Sequence, residues 1–136
     1  MNIRAAATED LERIVQLFEQ LGYASDVEQV AKHLHELSQS TSGEAFVAED
    51  GGIILGVAIV HTIQPLHVCG CWAVLSALVV DGERRSSGVG ASLLAAAEGF
   101  ALQHGCTQIE LSSSVARTGA HLFYERNGHQ ETSALR

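Results

Sequence analysis

Several features that would place a chain in a broad class are scarce in these 136 residues. The three cysteines, Cys69, Cys71 and Cys106, are too few for the disulfide framework of a small secreted domain. No apolar run reaches the roughly 18–20 residues that a membrane-spanning helix needs, so no membrane association is expected. Only 8 basic residues stand against 16 acidic ones, and the net charge of −8 argues against a nucleic-acid partner, which would require a basic surface.

The chain also lacks internal repeats and low-complexity linkers, and its length suits one domain over residues 1–136. Its first residues, Met1 to Arg4, have no long apolar core and are typical of a first strand rather than a signal peptide. A cytoplasmic protein is therefore expected.

A metal site is not expected either. His67, Cys69 and Cys71 form a His-x-Cys-x-Cys pattern, but no second paired cluster accompanies it. Alternate residues of a strand point to the same side, which gives poor tetrahedral geometry. Free thiols are the favoured interpretation, and no metal is predicted.

Hydrophobic periodicity and turn residues predict six strands and four helices. Thr8 is predicted to cap the first helix, Ser25 to open a capping box with Glu28 for the second, and Thr118 to cap the fourth. The predicted strands are residues 2–6, 45–49, 53–63, 71–80, 108–112 and part of 129–135; the predicted helices are 9–21, 25–38, 89–104 and 118–127.

The order of these elements indicates a fold class. The β–α–β unit over residues 71–112 requires a parallel pair with a right-handed crossover, whereas the turn at Asp50 to Gly52 requires an antiparallel hairpin. The prediction is an α/β (α+β) domain with a mixed, mostly antiparallel sheet and helices on both faces.

One segment points to a binding site. An apolar strand ends at Asp81-Gly82, a loop carries Arg84 and Arg85, and a helix follows Gly88. Unpaired backbone N–H groups and the positive end of the helix dipole would then converge on one point, which suits an anion. The loop reads R-x-x-G-x-G and lacks both the G-x-G-x-x-G of dinucleotide folds and the Gly-Lys-Ser/Thr of a P-loop. By itself the pattern fits a tight strand-to-helix turn equally well.

A second segment narrows the interpretation. Residues 120–128 read AHLFYERNG, and they follow the glycine loop, its helix and a short strand. This combination resembles the GNAT superfamily of N-acetyltransferases along essentially the whole chain. The resemblance implies a GNAT-like acyl-CoA N-acyltransferase fold, with its parallel pair splayed to admit CoA. It also implies acetyl transfer from acetyl-CoA to a primary amine by direct attack in a ternary complex, without a metal, and it makes a homodimer plausible.

The resemblance also implies roles for particular residues. The strand whose backbone would pair with the pantetheine arm comprises Leu78, Val79 and Val80. A backbone N–H near Leu78 would stabilise the oxyanion that develops on the thioester oxygen. Tyr124 would donate a proton or a hydrogen bond to the leaving thiolate. The loop that would cradle the CoA diphosphate comprises Arg85, Ser86, Ser87, Gly88, Val89 and Gly90.

Some positions depart from the family pattern. Ser76 occupies a strand position where many relatives carry a Glu that helps to deprotonate the amine, and serine cannot act as that base. His61, Glu44 and ordered water are the substitutes that the sequence offers. Arg117 stands where relatives often have an Asn that contacts the CoA arm, and Ser113 or Ser114 is the alternative for that contact.

Three readings therefore stay open on sequence: an N-acetyltransferase, a non-catalytic CoA-binding or regulatory module of the same fold, and a nucleotide-phosphate binder. The acceptor is undetermined between a small-molecule amine and a protein N-terminus or lysine. Its selectivity is expected to come from residues 9–38 and from the loop near 64–70.

Overall fold

The computed structural model describes residues 1–82 and 88–111, together with the backbone of residues 132–134. Its helices are α1 (Leu11–Leu21), preceded by a 3₁₀ turn (Thr8–Asp10), α2 (Val27–Ser38) and α3 (Val89–Gln103). Its strands are β1 (Asn2–Ala5), β2 (Gly43–Asp50), β3 (Ile53–Ile63), β4 (Cys71–Val80), β5 (Cys106–Leu111) and β6 (Thr132–Ala134).

These strands form one six-stranded sheet in sequential order, β1 to β6. Every neighbouring pair is antiparallel except β4 and β5, which run parallel because α3 carries the chain back between them. The mixed, mostly antiparallel sheet with one parallel pair confirms the fold class predicted from the sequence.

Helices cover both faces of the sheet, as the sequence predicts. Leu93, Leu94 and Ala97 of α3 pack on one face against residues such as Leu75 and Leu78 of β4. On the other face, Ile14 and Leu17 of α1 pack against Val47, Val57 and Val79. Alternate side chains of each strand serve the two faces, so both layers of core are built from the same strands.

Ser76 marks the place where the sheet opens. Leu75 pairs with Val60 and Ala77 with Ile59, so Ser76 is the extra residue of a β-bulge in β4. The described parallel pairing between β4 and β5 runs as far as Leu75 and Leu111, the last described residue of β5, and Leu75 immediately precedes this bulge. A bulge bends its strand and interrupts a ladder, so β4 continues through residues 76–80 paired with β3 alone among the described strands.

Two helix starts differ from the sequence prediction. Thr8 does not cap α1, because it lies inside the 3₁₀ turn and α1 begins three residues later. Asp26, rather than Ser25, caps α2, and its carboxylate accepts a hydrogen bond from the N–H of Glu28. At α2 the aspartate one residue further along makes the hydrogen bond that the prediction gave to a hydroxyl. At α1 the N-cap position is held by Asp10, whose carboxylate makes no capping hydrogen bond to the helix and binds Ala7 and Arg4 instead. The helix predicted over 118–127 lies outside the described residues.

A buried ion pair joins the first strand to the start of α1. The Asp10 carboxylate, 5% exposed, accepts hydrogen bonds from the Arg4 guanidinium at 2.8 and 3.0 Å and from the Ala7 N–H at 2.8 Å. Arg4 also donates to Glu49 of β2. The hydrogen bonds from Arg4, opposed in part by burial, lower the pKa of Asp10 below its ordinary value of 3.8.

We therefore expect Asp10→Asn to lower the free energy of unfolding by about 2 kcal/mol, because it leaves Arg4 short of a charged partner. Since the folded-state pKa is depressed, the carboxylate stabilises the fold above pH 3.8 and loses that effect as the pH falls through the folded-state value. Urea unfolding at neutral and acidic pH would measure both effects. Glu9→Gln, at an exposed position of the same turn, is the control. An Asp10 variant with unchanged stability and unchanged pH dependence would refute this assignment.

Candidate functional site

Backbone donors of β4 face the opening in the sheet. The N–H of Asp81 donates to the carbonyl of Leu55 on β3 at 2.8 Å. N–H groups alternate in direction along a strand, so those of Val79 and Ala77 also point to β3. The N–H groups of Leu78 and Val80 point the opposite way, toward the side that β5 leaves open beyond Leu75. An extended ligand arm could pair with them as an added strand.

Gly88 begins α3 beside this open edge. Its φ of +87° lies in the left-handed region that glycine adopts readily, and its carbonyl accepts the first helical hydrogen bond, from Ser92, at 3.1 Å. The N–H groups of the first helical turn, which includes Val89 and Gly90, have no partners within the helix. With the positive end of the helix dipole they form a site for an anion, and no acidic residue lies in that turn.

Gly56 of β3 lets α3 approach the sheet closely. A Cβ at this position would lie 2.8 Å from the carbonyl oxygen of Val79 and 2.9 Å from Cδ1 of Leu93, with Cγ1 of Val89 at 3.2 Å. Because Gly56 has no side chain, the first turn of α3 packs directly against β3 and β4. This packing fixes Gly88 and Gly90 relative to the open edge.

Helix α1 bonds to the two residues that precede the glycine loop. Arg13 donates to the Asp81 carboxylate at 2.5 Å and to the carbonyl of Ile54 at 3.0 Å. Gln20 accepts a hydrogen bond from the N–H of Gly82 at 3.0 Å. Asp81 and Gly82 lead directly into residues 83–87, so α1 holds the chain where that loop starts. Arg13 and Gln20 were not predicted from the sequence, because an arginine and a glutamine on an amphipathic helix usually face solvent.

The predicted site residues are only partly covered by the described chain. Leu78, Val79 and Val80 lie on β4 at the open edge, and Gly88, Val89 and Gly90 lie at the start of α3. Both groups border the same end of β4. The remaining predicted site residues lie outside the described residues: Arg85, Ser86, Ser87, Ser113, Arg117 and Tyr124. Their roles stay predictions.

A cavity of about 510 Å³ lies on the face of the sheet opposite α3. It is open on one side and is bordered by α1, α2 and the strands β2, β3 and β4. Eight of its lining residues are apolar: Ile14, Phe18, Val30, Leu34, Leu37, Ala45, Val57 and Ile59. The polar ones are His33, Glu36, Ser40, His61 and Ser76. Residues from both N-terminal helices thus line the cavity, and none of its described lining residues comes from the loop 64–70.

The bulge residue Ser76 connects the cavity to the opening. Its side chain lines the cavity, and its hydroxyl lies 3.4 Å from the carbonyl of Ile59, to which it donates. The next residue but one, Leu78, presents its N–H to the open edge. A group held in the cavity would therefore lie next to the opening of the sheet.

The structure separates the two side chains that the sequence offered as bases. His61 lines the cavity, and burial lowers its pKa below 6.5. Glu44 is two residues from Phe46, whose ring meets Phe100 of α3 edge to face, so Glu44 lies on the α3 side of the sheet. Only His61 of these two shares the cavity with Ser76.

The residues of the His-x-Cys-x-Cys pattern do not converge. His67 packs edge to face on Trp72, Cys69 is exposed, and the Cys71 thiol donates to the carbonyl of His104 at 3.3 Å. Burial and the neighbouring Cys71 raise the pKa of Cys106 to about 12, so this thiol stays protonated. Over residues 1–82 and 88–111, no group of three or more His, Cys, Asp or Glu side chains could hold a metal ion. No helix in those same segments has the length and apolar character to cross a bilayer.

Comparison with known proteins agrees with this architecture. Across its full length the chain is similar to an N-acetyltransferase of Bacillus subtilis named YhfO, whose activity is uncharacterized, with 29% identity over 99% of this chain and 93% of that protein. It is 35% identical to the aminoalkylphosphonate N-acetyltransferase of Salmonella typhimurium over 60% of this chain and 53% of that protein.

The fold is shared with solved structures. The aminoglycoside 6'-N-acetyltransferase AAC(6')-IG of Acinetobacter haemolyticus superposes with a TM-score of 0.81 over 98% of this chain and 93% of that chain, at 20% identity. Residues 5–129 match the acetyltransferase (GNAT) family. With a sheet that opens at Ser76 and a glycine-started helix beside the opening, the chain belongs to the GNAT family of acetyltransferases.

Proposed function

We propose that the protein transfers an acetyl group from acetyl-CoA to a primary amine. The observation that carries the proposal is the juxtaposition at the end of β4. In the described part of the chain, the open edge at Leu78 and Val80 lies between the first-turn N–H groups of α3, which have no partners within the helix, and the cavity beside Ser76. This arrangement suits a long donor that has an anionic end and an extended arm, as CoA has. The anionic end would lie at α3, the arm along β4, and the acyl group next to an acceptor in the cavity. A cytoplasmic location and a homodimer stay predictions from the sequence and its resemblance.

In this proposal, the diphosphate binds at residues 85–90 and the pantetheine arm pairs with β4. Gly88, Val89 and Gly90 supply N–H groups, and Arg85 with its two following serines completes the loop. Leu78, Val79 and Val80 form the strand alongside the arm, with Ser113 or Arg117 as further contacts. The N–H of Leu78 stabilises negative charge on the thioester oxygen as the amine attacks.

The chemistry follows from direct attack in a ternary complex. The neutral amine forms the N–C bond to the acetyl carbon, the C–S bond breaks, and CoA leaves as a thiolate. Tyr124 gives the thiolate a proton, or a strong hydrogen bond, and the proton lost by the new amide nitrogen restores its hydroxyl. A phenol of pKa ~10 and a thiol of pKa ~8.5 make full proton transfer modestly uphill, so stabilising the thiolate is the larger part of this role.

We assign the first proton transfer to His61. An alkylammonium of pKa ~10.4 costs roughly 4.6 kcal/mol to deprotonate at pH 7, so a route for its proton is needed. Partial burial lowers the pKa of His61 below 6.5, so its imidazole is neutral at that pH, which allows it to accept the proton and spares the ammonium a repulsive neighbour. The other titratable groups lining the cavity, His33 and Glu36, come from α2, whereas the lining residues of α1 and β2 are apolar.

Thermal shift and thiol release test the proposed function together. Acetyl-CoA and CoA should each raise the melting temperature by several degrees, and ATP should not, because only the first two occupy the open edge of β4. With a suitable amine the protein should then release CoA thiol, and Tyr124→Phe should release it at least tenfold more slowly. Stabilisation by ATP alone would instead favour a nucleotide binder. Stabilisation by CoA without thiol release for any amine would favour a non-catalytic CoA-binding module.

A second prediction concerns the hold of α1 on the glycine loop. Arg13→Ala should raise the KM for acetyl-CoA about threefold to tenfold and leave the KM for the amine unchanged, because it removes the ion pair that ties Asp81, at the start of the loop, to α1. Arg13 and Asp81 side chains are 27% and 20% exposed, so a modest effect is expected. Steady-state kinetics would measure it, with Glu12→Ala on the exposed face of the same helix as the control. A lower kcat with both KM values unchanged would show that Arg13 does not act through the donor site.

A third prediction concerns pH. As the pH falls through the lowered pKa of His61, the imidazole becomes charged and kcat/KM should fall, with the inflection below pH 6.5. His61→Gln should lower kcat/KM by about 10²-fold and remove that inflection. His33→Gln, which replaces the other histidine of the cavity, should keep it. If the His33 variant lost the inflection and the His61 variant kept it, the assignment to His61 would be wrong.

A further inference from the structure

Helix α2 covers the cavity without filling it. None of its residues is buried, although Val30, Leu34 and Leu37 form an apolar stripe that faces the sheet and lines the cavity. Beneath them, Ile59 of β3 is also only half-buried. These side chains keep apolar surface that an apolar ligand would cover, and a volume of about 510 Å³ suits a small molecule.

The charged residues that line the cavity limit which ligands it can bind. Among the described residues that line the cavity there is no lysine or arginine, so a phosphate or phosphonate group would find no cationic partner there. Glu36 is the single carboxylate among them, and it belongs to the exposed part of α2. Glu36 can therefore pair with one cationic group of a ligand, whereas a polycation would leave its other charges beside apolar side chains.

We infer that the acceptor is a primary monoamine with a compact apolar body, bound in the cavity between α2 and the sheet with its nitrogen toward Ser76 and His61. This inference rests on the proposed function, which gives the acceptor its reactive amine. The apolar body lies among Val30, Leu34 and Ile59. The nitrogen lies at the bulge, where the cavity meets the opening and the carbonyl carbon of the thioester would be reached.

An apolar wall also favours the chemistry. Removing an ammonium group from water disfavours its charged form, so binding the apolar body lowers the cost of the proton transfer to His61. A polar acceptor would need hydrogen-bond partners for its body. The walls contributed by α1 and β2, including Phe18 and Ala45, offer no side-chain partner.

The test compares primary amines that differ in their bodies: phenylethylamine and hexylamine against ethanolamine, spermidine and aminoethylphosphonate. Each is titrated calorimetrically into the CoA-bound protein and assayed for CoA thiol release with acetyl-CoA. The two apolar amines should bind, and their kcat/KM should exceed that of ethanolamine by about tenfold to a hundredfold, the effect of burying a small hydrocarbon body. Aminoethylphosphonate should be the poorest of the set.

Variants at Leu34 locate the effect. Leu34→Trp should fill the cavity and weaken phenylethylamine binding at least tenfold, with the KM for acetyl-CoA unchanged. Gln29→Trp, the same substitution on the exposed face of α2, should leave both values unchanged. Leu34→Lys adds a cation to a half-buried wall position, so it should shift preference from phenylethylamine toward aminoethylphosphonate. Thermal melts verify that each variant is folded.

The two proposals fail in different ways. If ethanolamine, spermidine or aminoethylphosphonate binds and is acetylated as well as phenylethylamine, or if Leu34→Trp and Gln29→Trp behave alike, the inference about the acceptor is wrong and the transferase assignment stands. If phenylethylamine binds and Leu34→Trp abolishes its binding, but no amine releases thiol, the preference of the cavity for an apolar amine stands, whereas the proposed function fails and the amine is a ligand rather than an acceptor.

Discussion

The functional architecture depends on one extra residue in β4. In the described part of the sheet, the parallel ladder with β5 reaches Leu75, the bulge follows at Ser76, and residues 76–80 are bonded to β3 alone. Sheet edges are usually covered or kept short, because unpaired backbone groups invite association. Here an edge is opened inside the sheet, where a ligand of suitable length can complete the hydrogen bonding that β5 does not supply.

An open edge in a sheet requires rigid support on both sides. On one face, α3 is pressed onto β3 at Gly56, where a Cβ would meet the carbonyl of Val79 at 2.8 Å. On the other, α1 packs against Val57 and Val79 and ties the end of β4 through Arg13 and Asp81. Core packing on both faces of the sheet thus fixes the part of β4 beside the opening. This packing preorganises the N–H groups of that segment although no described strand pairs with them on that side.

The sequence predicted the sheet well because local signals and global topology agree there. Alternating apolar residues and the turn at Asp50 define the hairpin, and β4 begins and ends where predicted, at Cys71 and Val80. Helix starts were less predictable. At α2 the adjacent Asp26 offers the same local hydrogen bond as Ser25, and at α1 Asp10 binds Arg4, a tertiary partner that the local sequence does not reveal. The bulge has no sequence signature, and the long-range contacts of Arg13 and Gln20 have none either. The cavity could not be predicted, since its size depends on how far α2 stands from the sheet.

The position of His61 in the cavity explains how the proposed proton transfer is compatible with a serine at position 76. A Glu at the bulge would put a charged base at the opening, whereas Ser76 contributes only a hydroxyl hydrogen-bonded to Ile59. A neutral histidine on the adjacent strand, in the same cavity, can take the proton without introducing a second charge into apolar surroundings. A carboxylate in such a cavity would either be raised in pKa or need a partner, and the described walls provide no cation for it. Under the proposed function, the serine at position 76 and the apolar character of the cavity therefore suit the same arrangement, in which the acceptor is bound by burial of hydrocarbon and its proton is removed by an uncharged base.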